Sequence, residues 1–589
     1  MKLSLLSWSA LASIWLPISF ASTNSPILGP VFPKPTNLSS SPIFDAATLN
    51  FTKLVNQAIA GENSTYGPLD AQNTSFSVGL FSVDEPGLLF QYHHSAPSLA
   101  LEGVQTVDAD SVYRLGSVSK LLTVYTWLIQ DGFLRWNQPI TELVPELWAA
   151  AQQYNASSSA GDGIDRVNWA EINVEALASQ FSGIGRDYGV EDVLNTPGSG
   201  PLAASWPPVN TNETLSCPSS QCTREEWFKG FLDDAPVFAP FYAPAYSNNA
   251  YKLLAYALEN VTGSTFESLF EDKLVKPLNL TRTSYAKPSN DSWGVIPGNA
   301  TTSMWYVDIG DDAPDGGMYS SLSDFATIGR SILSSSLISP TSTRRWLKPV
   351  SHTSNALTSV GAPWEISRYQ EAEYDHLVDL YTKSGDISGY TSVLVHSPDH
   401  SVGFAVLAAS SDGVPAAAVL ELTNLVADVF LPALDNAAKA EADASYAGLY
   451  KSTDPNVNSS IILATEAAKP GLHVTQFIYN STDLLPALAV AYFGATASAA
   501  DLSARLYPAQ LSSPAVPGQA NARTRFRAVY EDETASSTGP FLSLAATWIN
   551  LDAVTYANVA LDAFDFELGP DGSPVALTPA FLRTTLQKA

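Results

Sequence analysis

Apolar and polar positions alternate with different periods along the chain, and each change of period predicts a different element. From Ser77 to Tyr92 the run SVGLFSVDEPGLLFQY holds two apolar stretches about Glu85-Pro86-Gly87, which predicts two strands and a turn. Lys120 to Gln130 (KLLTVYTWLIQ) instead sets Leu121, Leu122, Tyr125, Leu128 and Ile129 at helical spacing and stops at Asp131-Gly132. A second helix, Asn249 to Glu259, follows Tyr246-Ser247-Asn248, and a third follows Ser321-Leu322-Ser323-Asp324, which has the form of a capping box. Thr391 to Ala409 reads as a hairpin of two buried strands turning at Ser397-Pro398-Asp399. A long helix from Pro415 to Leu434 then leads into residues 435–445 (DNAAKAEADAS), a polar, alanine-rich connector.

Beyond that connector SSIILAT, GLHVTQFIYN, RTRFRAVY and ATWINL alternate in the manner of strands, which predicts a compact β-rich domain. A chain of 589 residues exceeds one ordinary domain, so the expected division is 22–435 and 446–589. Residues 188–222, rich in Pro, Ser, Asn and Gly, read as a long surface insertion. Residues 1–21 join Lys2 to an apolar run ending in Ser19-Phe20-Ala21. Pro17 and that small-residue exit point to a cleaved secretion signal rather than a membrane anchor, and hence to a secreted, extracellular protein.

Secretion gives meaning to the Asn-X-Ser/Thr sites at Asn37, Asn50, Asn63, Asn73, Asn155, Asn212, Asn260, Asn279, Asn290, Asn299, Asn458 and Asn480, which are expected glycosylation positions. Two cysteines occur, Cys217 and Cys222, and an oxidising compartment would close them into a short loop. The net charge of −28 repels phosphate backbones and anionic membranes, so neither nucleic acid nor, once the signal is removed, a membrane is an expected partner.

Candidate chemistry centres on YRLGSVSK, residues 113–120, where Ser117 and Lys120 share a face at the start of a helix. A lone Ser-x-x-Lys is weak, and Ser284-Tyr285-Ala286-Lys287 is a second copy; Pro288 follows it directly, so no helix carries Lys287. Tyr-x-Asn also occurs twice, at Tyr246-Ser247-Asn248 before a helix and at Tyr556-Ala557-Asn558, whereas Lys383-Ser384-Gly385 is the single Lys-Ser-Gly. His396 and His400 have the spacing of metal ligands, but Pro398 between them precludes a helix and suggests a solvated turn, so no metal or other cofactor is expected. A Gly-x-Ser-x-Gly elbow and a phosphate-cradling glycine loop are both missing from the sequence.

Taken in order, Ser117-x-x-Lys120, Tyr246-x-Asn248 and Lys383-Ser384-Gly385 resemble the serine β-lactamase and penicillin-binding-protein superfamily, in its class C-like branch. The segments YRLGSVSKLLT, DGFLRWNQPITELVPEL, AYSNNAYKLLAYALENVTG, DGGMYSSLSDFATIG and KSGDISGYTSVLV look like successive signature blocks of that branch, and the whole chain is similar to secreted fungal β-lactamase-like proteins. The resemblance implies an α/β (α+β) fold: an antiparallel sheet flanked by helices, with an all-α lobe, ahead of the β-rich domain. It also implies a nucleophile at Ser117. A serine needs a base within reach, and Lys120 serves if burial near a second cation, Lys383, draws off its proton. Tyr246 between two ammonium groups is expected to be drawn towards phenolate and to take or relay the serine proton. Asn248 would donate to the substrate carbonyl or orient Lys120, and the N–H groups of Ser117 and Asp386 would form the oxyanion hole.

The strand reads Lys383-Ser384-Gly385-Asp386, and the Asp386 carboxylate would repel an anionic substrate, which makes efficient β-lactam turnover doubtful. A small-molecule ester, amide or thioester fits better, with acyl transfer in a natural-product pathway, or binding without catalysis, as the alternatives.

Overall fold

The computed structural model describes residues 27–589 apart from 63, 68, 157–162, 189–221, 301–302, 374–375, 414, 518–520 and 533–546. The signal segment 1–21, nearly all of the 188–222 insertion, Cys217, Asn63 and Asn212 therefore lie outside the described residues, and the expected pairing of Cys217 with Cys222 with them. Contacts divide the chain into one unit built from residues 33–371 and 377–441 and another built mainly from 442–589.

The larger unit holds β1 (Thr74–Ser82), β2 (Phe90–His94), β3 (Val112–Arg114), β4 (Tyr319–Ser321), β5 (Ser351–His352), β6 (Thr358–Val360), β7 (Glu365–Glu371), β8 (His376–Ile387), β9 (Tyr390–Ser397) and β10 (Val402–Ser410). Its main sheet has the order β2-β1-β10-β9-β8-β7-β6-β5, and β3 pairs with β4 apart from it. The expected hairpin is β9 and β10, paired antiparallel from Val402 opposite Ser397 to Ala409 opposite Tyr390.

Helices α1 (Pro42–Ile59), α2 (Ser119–Gln130), α3 (Pro145–Ala156), α4 (Val174–Ala178), α5 (Arg224–Phe231), α6 (Asn249–Thr262), α7 (Phe266–Phe270), α8 (Leu322–Leu333) and α9 (Ala416–Ser445) complete the unit's framework. Val78, Leu80, Phe404 and Val406 pack with Phe51 of α1 and Leu422 and Phe430 of α9 on one face. Ala405, Leu407 and Leu394 join α2, α6 and α8 on the other. Strands covered on both faces lose the polar half of their alternation, which is why β10 reads as a continuous apolar run; β1 is buried as fully but keeps Ser75, which accepts from Ala96 N, and Ser77, which is hydrogen-bonded to Tyr113 and His93. The helix α2 is buried nearly all round, so its stripe understates its place: it is the central helix of the core.

Four local expectations need correction. Residues 435–445 are no connector but the last turns of α9, because Ala, Lys and Glu are strong helix formers. ATWINL forms a helical turn, Thr547–Asn550, in place of a strand; Trp548 and Ile549 are 74% and 49% exposed, so alternation there buries nothing. Ser321 caps α8 by accepting from Asp324 N at 3.3 Å, but the Asp324 carboxylate accepts from Arg282 N and Thr283 Oγ1 and so closes no capping box. His396 and His400, at 0% and 3% exposure, are not solvated. His396 packs edge-on against Trp364, its pKa lowered by burial to about 4, while His400 sits between Ser397 Oγ and Asp435 at 2.7 and 2.9 Å.

Among the described residues the second unit is built on a nine-stranded sheet. Its core gathers Tyr446, Phe526 and Phe566, with ring centroids 4.9 to 5.3 Å apart. Sequon asparagines 37, 50, 260, 279, 290, 299, 458 and 480 are exposed and Asn73 is half-buried.

Candidate active site

Ser117 sits in a single 3-10 turn, Gly116–Val118, that runs straight into α2. The turn is pressed against β8, backbone to backbone. Gly116 has a φ of +52°, and a Cβ there would fall 2.6 Å from Asp386 N. A Cβ on Gly385 would fall 2.1 Å from Leu115 O and 2.7 Å from Ser117 N. Glycine at both positions is what brings the amides of Ser117 and Asp386 together. Ser119 then pins the turn, donating to Gly116 O at 2.8 Å and accepting from Met318 N at 3.1 Å.

One turn along α2, Lys120 is fully buried. Its Nζ donates to Ser117 Oγ at 2.9 Å and to the backbone oxygen of Asp315 at 2.6 Å, and lies 3.9 Å from Asp315 Oδ1. Burial lowers its pKa to about 7; the Asp315 carboxylate opposes that shift and Lys383 assists it.

Tyr246 comes from the loop entering α6, and its hydroxyl faces Ser117, whose side chain partly offsets the effect of burial on the phenol. Its ring lies 5.1 Å from Lys120 Nζ, 5.3 Å from Lys383 Nζ and 4.9 Å from the Arg186 guanidinium carbon. The surrounding charge does not draw it to phenolate. Burial dominates and raises its pKa, so the group next to Ser117 is a neutral phenol.

Lys383, buried on β8, is ion-paired with Glu365 of β7, which also accepts from Ser384 N at 2.9 Å and Ser384 Oγ at 2.7 Å. Burial pushes the Glu365 carboxyl up, but Lys383 and Ser384 outweigh it and hold it below its ordinary value. Asp386 is exposed next to this pair, its Oδ2 accepting from Thr391 Oγ1 at 2.7 Å. Asn248 does not orient Lys120: its Nδ2 donates to Asp187 Oδ1 at 2.7 Å, its Oδ1 is buried without a partner, and the lysine is held by Asp315 O in its place.

The sequence from residue 90 to 428, which carries this whole arrangement, matches the beta-lactamase family, and residues 438–589 match a second family described as beta-lactamase-like-like, C-terminal domain. The chain belongs to the beta-lactamase family. Among its relatives, a beta-lactamase-like protein of Arthroderma benhamiae is 30% identical over 97% of this chain and 98% of its own length. A probable hydrolase, M10, of Phoma sp. is 26% identical over 71% of this chain and 68% of its own. A penicillin-binding protein homologue of Pyrococcus abyssi superposes with a TM-score of 0.47 at 15% identity, over 92% of this chain and 99% of that one.

Within this beta-lactamase domain the structure brings Ser117, Lys120, Tyr246, Lys383, Ser384 and Asp386 to one place and turns Asn248 aside to Asp187. Three further groups were not anticipated: Arg186 over the Tyr246 ring, Glu365 on Lys383, and Asp315 behind Lys120. Asp315 opens a signature block, DGGMYSSLSDFATIG, so its position was in view, but nothing in the local pattern says that a carboxyl after Pro314 is buried.

Proposed function

We propose that this beta-lactamase-family hydrolase is a secreted serine hydrolase that works through an acyl-enzyme on Ser117. The observation that carries the reading is the 2.9 Å bond from a fully buried Lys120 to Ser117 Oγ. A lysine whose proton leaves near pH 7 is a base at the pH where serine needs one. Neutral Lys120 takes the hydroxyl proton as Oγ bonds to the acyl carbon. The oxygen that becomes negative is met by the N–H groups of Ser117 and Asp386, each donor contributing about 3 to 4 kcal/mol in comparable sites. When the carbon-to-leaving-group bond breaks, the Tyr246 phenol donates its proton to the departing atom and recovers one from the Lys120 ammonium. Water then attacks the ester on Ser117 by the same steps in reverse.

The substrate is a neutral ester, amide or thioester. A carboxylate-bearing substrate would look to Lys383, which Glu365 already occupies, and Asp386 adds a second negative charge there. Secretion is supported by the leader-like residues 1–21 and by the exposed sequon asparagines. The test is mass spectrometry after treatment with a fluorophosphonate. One adduct on Ser117, absent from Ser117→Ala, is expected together with p-nitrophenyl ester turnover faster than nitrocefin turnover; undiminished ester hydrolysis by Ser117→Ala defeats the mechanism.

A further inference from the structure

The charges around Ser117 fall into pairs. Lys383 is matched by Glu365, Lys252 by Asp312, and Arg186 by Asp187 at 3.4 Å. That leaves Lys120 and Asp315, 3.9 Å apart, as partners for each other. Asp315 is 7% exposed, and its second carboxylate oxygen, Oδ2, is buried with no hydrogen bond at all. Burial pushes the Asp315 carboxyl up to about 8 while Lys120 and Lys252 draw it back, so Asp315 and Lys120 hold their protons as a coupled pair and not as two independent groups. The coupling runs both ways, since the same carboxylate opposes the loss of the lysine's proton on burial.

We propose that the Asp315 side chain is a positioning residue for the base: as the buried acid coupled to Lys120 it sets the pH below which that lysine no longer accepts the serine proton, while the backbone oxygen of the same residue holds Nζ in place. The remaining groups facing the pair are Asp312, Lys252 and Asp187 around Asp315, and Lys383, Glu365, Asp187 and the Tyr246 and Tyr251 rings around Lys120. Most of these charges have a closer partner of their own, so Asp315 is the group whose removal alters the lysine most. The inference rests on Lys120 acting as base for Ser117.

The experiment is the pH dependence of the p-nitrophenol burst from p-nitrophenyl acetate, measured on the full secreted chain and on Asp315→Asn and Asp315→Glu. Asparagine keeps the shape and removes the charge, so the acid limb is expected to move to lower pH by about one unit, a tenfold fall in the lysine's proton affinity. Glutamate keeps the charge and is expected to leave the limb at or above its wild-type position. A purely structural role lowers the burst rate without moving the limb. An Asp315→Asn limb that stays in place or rises overturns the proposal, and so does an Asp315→Glu limb that falls; the second result decides alone if the asparagine variant does not fold. Wild-type protein with no burst and no fluorophosphonate adduct on Ser117 would instead defeat the serine-hydrolase reading.

Discussion

The chain carries two Ser-x-x-Lys segments, and the structure treats them in opposite ways. At Ser117 the lysine is fully buried and points its Nζ at the serine oxygen, 2.9 Å away. At Ser284 the serine donates to Ala286 O at 2.6 Å, while Lys287, its side chain 31% exposed, turns to Asp291 at 2.6 Å. The spacing is identical and the chemistry is not. What separates them is a helix that puts both side chains on one face, and a core that strips water from the ammonium.

The sharpest way to break this contrast is at the serines. Ser117→Ala is expected to lower kcat/KM for p-nitrophenyl acetate by about ten-thousandfold or more, the scale on which a serine protease such as subtilisin loses activity with its nucleophile. Ser284→Ala is expected to change nothing in the same assay. Equal losses at the two sites would show that spacing, and not burial, had been the informative feature.

The lysines come next. Lys120→Met removes the proposed base and is expected to cost about a thousandfold. Wild-type activity should rise with pH through about 7, because below that value the Lys120 ammonium already holds the proton it must accept. The Lys120→Met remnant should lose that step, which a burst measurement from pH 5 to 9 reads directly.

A smaller effect is expected where the site's charges are paired. Glu365→Gln frees Lys383 to meet a substrate carboxylate, and nitrocefin turnover relative to ester turnover should rise about tenfold, equivalent to about 1.4 kcal/mol of recovered attraction. An unchanged ratio would locate the discrimination at Asp386 instead.

Much of this is legible in the amino-acid sequence. The order of Ser117, Lys120, Tyr246 and Lys383 along the chain, each beside a helix start or on a strand, pointed to one cluster. The hairpin at Ser397-Pro398-Asp399 and the helix after Lys120 followed from period and turn chemistry. What escaped was of one kind: properties set by burial between distant segments. The pattern offered no means of seeing that Glu365 would reach Lys383 from the neighbouring strand, that Tyr246 would be held as a phenol, or that His400 would be sealed against Asp435. Residues 435–445 failed for a different reason, since an alanine-rich run with scattered charges suits a surface linker as well as the helix it forms, in which Ala437, Ala438 and Ala442 are buried.

The smallest effect belongs to Lys287, and it closes the contrast from the other side. Its partner Asp291 also accepts from Trp305 Nε1 and Tyr306 Oη, each at 3.0 Å, so the carboxylate keeps two hydrogen bonds when the lysine is lost. Lys287→Met is therefore expected to leave activity untouched and to cost less than about 1 kcal/mol in a urea melt at pH 7. Burial pushes the Asp291 carboxyl up, but Lys287, Trp305 and Tyr306 together hold it below its ordinary value. A carboxyl held down in this way contributes stability above its unfolded pKa of about 4 and loses that contribution as the pH falls through its folded value. The small gap between wild type and Lys287→Met should accordingly close below pH 4, whereas a gap that persisted there would mean that the lysine stabilises the fold through a contact independent of Asp291, such as its ammonium over the Tyr306 ring, 5.2 Å from the centroid.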